Sequence, residues 1–307
     1  MKTYQLYING QYVDPVNGEW FDTIDPYRGE AWAKIPRGTA ADADKAVKAA
    51  NEAMWNGPWA KMTASARGKA MRKLGDLVAA NAERLAEIEV RDNGKLMAEM
   101  LGQLRYHPEW WWYFGGLVDK LEGGLVPIDK AETFAYTTHE PVGVVAALTA
   151  WNSPLLFVAW KCAAALAAGC AVIVKPSEFT SASTLEFAAL TKEAGIPDGI
   201  FNVVTGFGPE AGSALISHPG VAKITFTGSD TTGAKVYETA AKSLKRVSLE
   251  LGGKSPNIVF EDADLTAAAA GAISGIFAAT GQTCIAGSRL LVQRSIKDEM
   301  LARLKAK

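Results

Sequence analysis

The chain has 307 residues and a mass of 32.7 kDa, which is material for about two domains at roughly 150 residues each. Apolar residues make up 49% and charged residues 21%, which excludes a disordered chain and leaves enough for a buried core. Lys plus Arg is 32 against 33 for Asp plus Glu, so the net charge is −1. No basic excess is available to neutralise nucleic-acid phosphates or to hold an anionic membrane surface.

Cys162, Cys170 and Cys284 are odd in number and form no C-x-x-C, so a reducing, cytoplasmic setting is expected rather than a disulfide framework. His107, His139 and His218 are scattered, and no metal site is expected. Residues 1–5 lack the apolar run of a signal peptide. Residues 154–174 are long and apolar enough to suggest a membrane span. Lys161 interrupts that run, and Gly169 sits where a core helix would turn into a core strand. The helix–strand reading is favoured, because the same pattern repeats downstream.

In chain order, residues 4–13 alternate in polarity around Asn9-Gly10, which suits a type I′ hairpin turn. A helix is predicted near 40–55. A second is predicted over 64–91, with Met71, Leu74, Val78, Leu85 and Ile88 on one stripe and a stop at Asp92-Asn93-Gly94. A third, over 95–121, carries Trp110, Trp111, Trp112 and Tyr113. These four point around a full helical turn, so only part of the set can share a face. After Pro141 apolar strands are predicted at 142–150, 171–174, 201–205, 223–227, 247–250 and 257–260. Helices alternate with them at 155–168, 181–194, 209–217, 231–243 and 264–278. This is the pattern of an α/β, doubly wound parallel sheet with helices on both faces. Its ligands bind beyond the carboxyl ends of the strands.

Several loops at that edge carry chemistry. The run from Gly206 through Phe207, Gly208, Pro209 and Glu210 to Gly212 misses G-x-G-x-x-G by one residue. The run from Gly228 and Ser229 to Gly233 also opens a helix. Both suit a phosphate cradle, and both equally suit a plain tight turn. Lys175-Pro176-Ser177-Glu178 offers a cation and a carboxylate for ribose hydroxyls, or a solvated pair. Cys284 lies in a polar, glycine-flanked turn, unlike Cys162 and Cys170 in their apolar runs. Glu250 ends a strand on the ligand side and suits a general base. Asn152 suits an oxyanion donor or a helix N-cap.

Taken together, the run from Val247 through Glu250 to Asn257 and the run from Gly281 through Cys284 to Arg289 resemble the two signatures of the aldehyde dehydrogenase superfamily. Trp151-Asn152, Lys175 to Glu178, Gly206 to Pro209 and Phe226 to Ser229 follow in the family's order, and the resemblance covers essentially the whole chain. It implies a Rossmann-like dinucleotide-binding domain from 1–122 and 142–250. It further implies a bridging or oligomerisation arm at 123–141 and the start of a catalytic domain at 251–307.

The same resemblance implies oxidation of an aldehyde to a carboxylic acid with hydride transfer to NAD, NADP being disfavoured by Glu178. Cys284 is similar to the family's nucleophile, which passes through a thiohemiacetal and a thioester. Asn152 and the Cys284 N–H would hold the oxyanion, and Glu250 would activate water. The implied cofactor contacts are Leu148, Thr149, Trp151, Lys175, Ser177 and Glu178, then Gly208, Pro209, Gly212 and Phe226, then Gly228, Ser229, Leu251 and Gly252. Ser153, Trp160 and Thr283 are the implied substrate contacts. Complete family members form homodimers or homotetramers and continue well beyond Lys307. A truncated chain with little turnover of its own and an unpaired arm edge is therefore expected. Two rival readings are a truncated, non-catalytic nucleotide-binding protein and a cysteine-dependent esterase.

Ser153 stands where many members carry a bulky aromatic, so the tunnel mouth is expected to be roomy and polar. Bulky or polar aldehydes should then outperform short alkyl ones in a specificity screen. A screen led by short alkyl aldehydes contradicts this.

Overall fold

The computed structural model describes residues 1–307. Its centre is a seven-stranded sheet. Five strands run parallel, in the order Arg246–Leu251, Val221–Gly228, Val144–Leu148, Val172–Lys175 and Phe201–Val203. The Leu6–Ile8 and Gln11–Val13 hairpin adds two antiparallel strands beside Phe201–Val203. Its turn is built by Asn9 and Gly10, both at positive φ (53° and 73°), as the Asn-Gly pair requires.

Val144–Leu148 and Val172–Lys175 are buried at every residue, because helices cover both faces. Pro154–Ala167 and Ala182–Glu193 pack on one side, with Ala64–Ala80 and Ala82–Asn93 outside them. Ala40–Trp55, Ser213–Ser217 and Asp230–Ala241 cover the other side. From Val144–Leu148 the chain steps outward one way through Val172–Lys175, then returns to build Val221–Gly228 on the opposite flank. That reversal opens a crevice beyond the carboxyl ends of Val144–Leu148 and Val221–Gly228.

Residues beyond the sheet form their own layer. Pro256–Val259 and Arg289–Val292 pair in parallel, apart from the main sheet. Val259, Ala269, Ala272 and Met300 make a second, small core beneath Leu265–Phe277 and Lys297–Lys305. Residues 121–137 leave the body as a short hairpin, Leu125–Val126 against Ala135–Tyr136, with Leu125, Phe134 and Tyr136 exposed.

The structure corrects two predicted helices. The 64–91 helix is broken at Asn81, which leaves helical geometry (φ −109°, ψ 11°) and turns its side-chain amide onto the Leu77 carbonyl. The 95–121 helix is broken between Met97–Tyr106 and Pro108–Leu117, because Pro108 has no N–H to continue the ladder. The sheet of Lys2–Thr3, Trp20–Asp25 and Glu30–Pro36 was not predicted, nor were Arg289–Val292 and Lys297–Lys305. Residues 154–174 resolve into a helix, a left-handed Gly169 (φ 86°) and a strand, and no helix is long and apolar enough to cross a membrane.

Two buried acids set the crevice side of this scaffold. Glu89 Oε1 accepts from the Leu155 N–H at 2.8 Å, at the start of Pro154–Ala167. Asp92 Oδ2 accepts from the Ala182 N–H at 3.0 Å, at the start of Ala182–Glu193. Each satisfies a helix-terminal donor that has no partner within its own helix. Burial pushes both carboxyls up to about 7, against the pull of these hydrogen bonds. The folded chain therefore retains protons that the unfolded chain releases near pH 4. Stability from these groups is full below that pH and falls as pH rises toward 7. Each acid contributes a slope of up to about 1.4 kcal/mol per pH unit in that window. Thermal midpoints should accordingly drop as pH rises from about 4 to about 7. Glu89→Gln, which keeps an acceptor oxygen, should flatten the drop, and an equally steep drop in that variant contradicts the assignment.

Candidate active site

The crevice holds two adjoining cavities. The larger, about 710 Å³, runs over the carboxyl ends of the central strands. Lys175, Ser177 and Glu178 line one end of it. Lys175 is 4% exposed, and its Nζ lies 3.2 Å from Glu178 Oε2. Burial lowers the Lys175 pKa, and the Glu178 charge opposes that shift. Gly208, Pro209 and Gly212 form another wall, on a single π turn that leads into Ser213–Ser217. Leu148, Thr149 and Phe226 make the floor. A Cβ at Gly228 would fall 2.4 Å from the Phe226 ring, so a side chain there would displace the ring. Ser229 caps Asp230–Ala241, its Oγ accepting from the Thr232 N–H at 3.2 Å.

The second cavity, about 570 Å³, shares Ala150, Trp151, Thr227, Gly228 and Ser229 with the first. Its remaining walls include Asn152, Phe157, Leu251, Gly252, Thr283 and Cys284. One trough thus runs from the Lys175–Glu178 pair to the Cys284 thiol. Cys284 is partly exposed, whereas Cys162 and Cys170 are buried. Burial pushes the Cys162 thiol up to about 12 and raises that of Cys170. Only Cys284 has both access and polar surroundings.

The segment leading to Cys284 is strained. Ala279 and Thr280 (both φ 55°) and Gly281 (φ 72°) lie consecutively in the left-handed region. Each non-glycine residue there costs about 1–2 kcal/mol. Several bonds hold the arrangement. Glu99 Oε1 accepts from the Ala279 N–H at 3.0 Å. Gln282 Nε2 donates to Thr280 Oγ1 at 3.0 Å. Across the trough, Trp151 Nε1 donates to Gln282 Oε1 at 2.7 Å, and Asn152 Nδ2 donates to the Gln282 carbonyl at 2.8 Å. Asn152 is therefore not an N-cap. Glu89 takes the Leu155 donor instead, and one amide proton of Asn152 remains for the cavity.

Three predicted site residues stand outside both linings. Glu250 is exposed at the end of Arg246–Leu251, paired in register with Thr227, which lines both cavities. Lys161 lies on the same side, buried, with its Nζ 3.1 Å from Thr225 Oγ1. Burial draws Lys161 down to about 8, partly opposed by Cys162 and Glu250. Ser153 is buried, and its Oγ accepts from Lys95 Nζ at 3.2 Å. Ser153 therefore faces Lys95 and lines neither cavity. Trp160 is exposed, with its ring 5.6 Å from Phe157 and 5.9 Å from Trp110. In the aromatic run, Trp111 is fully buried and Tyr113 is exposed.

Sequence reasoning missed Gln282, Glu99, Lys95 and Phe157. Glu89 and Asp92 carried a readable signal, since the stripe through Met71, Leu74, Val78 and Leu85 continues at helical spacing onto them. Gln282 carried none, because its partners lie some 130 residues away.

This geometry agrees with comparisons to known proteins. Residues 12–307 match the aldehyde dehydrogenase family. The chain is 50% identical over 304 residues to a (Z)-2-((N-methylformamido)methylene)-5-hydroxybutyrolactone dehydrogenase of Acinetobacter baylyi, covering 99% of this chain and 62% of that one. An NAD-dependent aldehyde dehydrogenase from Sinorhizobium meliloti superposes with a TM-score of 0.96 at 43% identity, covering 100% of this chain and 61% of the other. The NAD+ complex of a Bacillus cereus aldehyde dehydrogenase gives the same TM-score at 43% identity, covering 99% and 62%. The chain belongs to the aldehyde dehydrogenase family. It spans about three-fifths of the length of the relatives it matches.

Native alkylation should modify Cys284 and spare Cys162 and Cys170, as read by peptide mass spectrometry. Equal labelling of all three thiols contradicts the difference in burial.

Proposed function

We propose that the chain oxidises an aldehyde to a carboxylic acid with NAD, through a covalent intermediate on Cys284. The observation that carries this is the single trough joining the Lys175–Glu178 end to the Cys284 end over Gly228 and Ser229. The residues present fit a dinucleotide. A buried lysine paired with a partly exposed carboxylate suits ribose hydroxyls, and a glycine-floored turn at a helix start suits a pyrophosphate. Glu178 would repel a 2′-phosphate, which favours NAD over NADP. When bound, NAD supplies the hydride acceptor.

The chain's own residues do the rest. The Cys284 thiolate adds to the aldehyde carbonyl to form a thiohemiacetal. The Cys284 N–H and the free Asn152 amide proton stabilise its oxyanion. Phe157 and Leu251 keep water from the reacting carbon. Oxidation leaves a thioester on Cys284, and Glu250, at the strand end beside Thr227, takes a proton from the water that hydrolyses it.

We further propose that residues 251–307 belong to the catalytic domain and that residues 123–141, which carry the exposed hairpin, form an arm for self-association. The three free thiols support a reducing, cytoplasmic setting. The Acinetobacter relative's name specifies a compact, polar substrate, which supports a polar aldehyde here.

The test is formation of reduced cofactor by the full-length protein. Cys284→Ser should abolish it, and Asn152→Ala should lower kcat by about a hundredfold to a thousandfold. Glu178→Gln should raise the use of NADP relative to NAD. Turnover that survives Cys284→Ser would refute the mechanism, and cysteine-dependent ester hydrolysis with no aldehyde oxidation would favour the esterase reading.

A further inference from the structure

We infer that Glu99 is a positioning residue for the nucleophile. Its carboxylate, bonded to the Ala279 N–H, holds the left-handed 279–281 stretch so that the Cys284 thiol and the Asn152 amide stay opposed across the cavity. The inference rests on the proposed role of Cys284 and extends it to a residue outside the cavity wall.

Three observations carry it. Ala279 and Thr280 occupy a backbone region that alanine and threonine avoid, and Thr280 lies two residues before Gln282 and four before Cys284. Such a conformation persists only where the surroundings over-determine it, and the one bond reaching this stretch from another element is that of Glu99. Second, Glu99 Oε2 is buried with no partner, so the carboxylate is not held there by other hydrogen bonds. Third, Lys95, four residues earlier, donates to Ser153, the neighbour of Asn152. The short segment 95–99 therefore grips both sides of the reaction, with Lys95 on the oxyanion side and Glu99 on the thiol side. Gln282 closes the ring by receiving Asn152 and Trp151. With the Glu99 bond gone, the loop relaxes toward ordinary φ values, and Gln282 and Cys284 move relative to Asn152.

Two reactions of Cys284 separate positioning from general stability, and neither needs cofactor. With p-nitrophenyl acetate the thiolate adds to the ester carbonyl, a C–S bond forms through a tetrahedral oxyanion, and p-nitrophenolate leaves. With iodoacetamide the thiolate displaces iodide and no oxyanion develops. Glu99→Ala should slow acylation by about tenfold to a hundredfold and leave alkylation within about threefold. Glu99→Gln, which retains an acceptor oxygen, should acylate within about threefold of the parent. Hydrogen exchange across 276–290 should rise in Glu99→Ala and not in Glu99→Gln.

Equal acylation in parent and Glu99→Ala overturns the assignment. So does a matched fall in acylation and alkylation accompanied by a lower thermal midpoint, since that marks a purely stabilising residue. A parent chain alkylated but not acylated at Cys284 overturns the underlying role of the thiol, while the exchange measurement still decides whether Glu99 holds the loop.

Discussion

Two hydrogen bonds onto one glutamine join the halves of the site. Trp151 Nε1 reaches the Gln282 side chain, and Asn152 Nδ2 reaches its carbonyl. The first two residues belong to the loop that leaves the central strand Val144–Leu148, and Gln282 belongs to the turn that presents Cys284. Without this link the thiol would rest on a layer whose own core is four buried residues. With it, the thiol is referenced to the rigid sheet that also floors the larger cavity. Other contacts order the second layer itself. Arg289 Nε donates to the Lys254 carbonyl at 2.7 Å. A Cβ built at Gly253 would fall 3.1 Å from the Cys284 carbonyl oxygen, so the two backbones nearly touch.

Behind the cavities lies a set of buried titratable groups that a simple apolar core would not contain. Glu89, Asp92 and Lys95 are each 3% exposed or less. Polar groups at such depth are costly unless hydrogen-bonded, and burial holds Glu89 and Asp92 protonated up to about 7. Here the cost is offset by partners at functional loops: the starts of Pro154–Ala167 and Ala182–Glu193, and the Ser153 hydroxyl. The same segment thus fixes the Asn152 loop and the helix that follows Lys175 and Glu178. The burial cost of these groups is thus tied to the placement of two loops at the crevice.

Much of this was legible in the sequence because strand burial and helix periodicity are local signals. The alternating strands after Pro141, the Asn9-Gly10 hairpin and the Gly94 stop follow from patterns of a few residues. The clustered motifs placed Cys284, Asn152, Lys175 and Glu178 at the sheet edge, where one trough now connects them. The helix breaks at Asn81 and Pro108 were hidden by apolar spacing that continues across both. The short edge strands Trp20–Asp25 and Glu30–Pro36 pair only through long-range contacts. The bond from Lys95 to Ser153 was not legible, because the two lie 58 residues apart. Left-handed Ala279 and Thr280 have no sequence signature at all, since neither residue type favours that region.

The central claim is that the thiol and the dinucleotide cleft share one continuous trough. The rate of Cys284 alkylation as a function of NAD+ concentration tests it most directly. The rate should change saturably, with a midpoint equal to the Kd from calorimetry, and the effect should vanish in Lys175→Ala where binding is lost. NAD+ that binds by calorimetry yet leaves the alkylation rate unchanged would contradict the account.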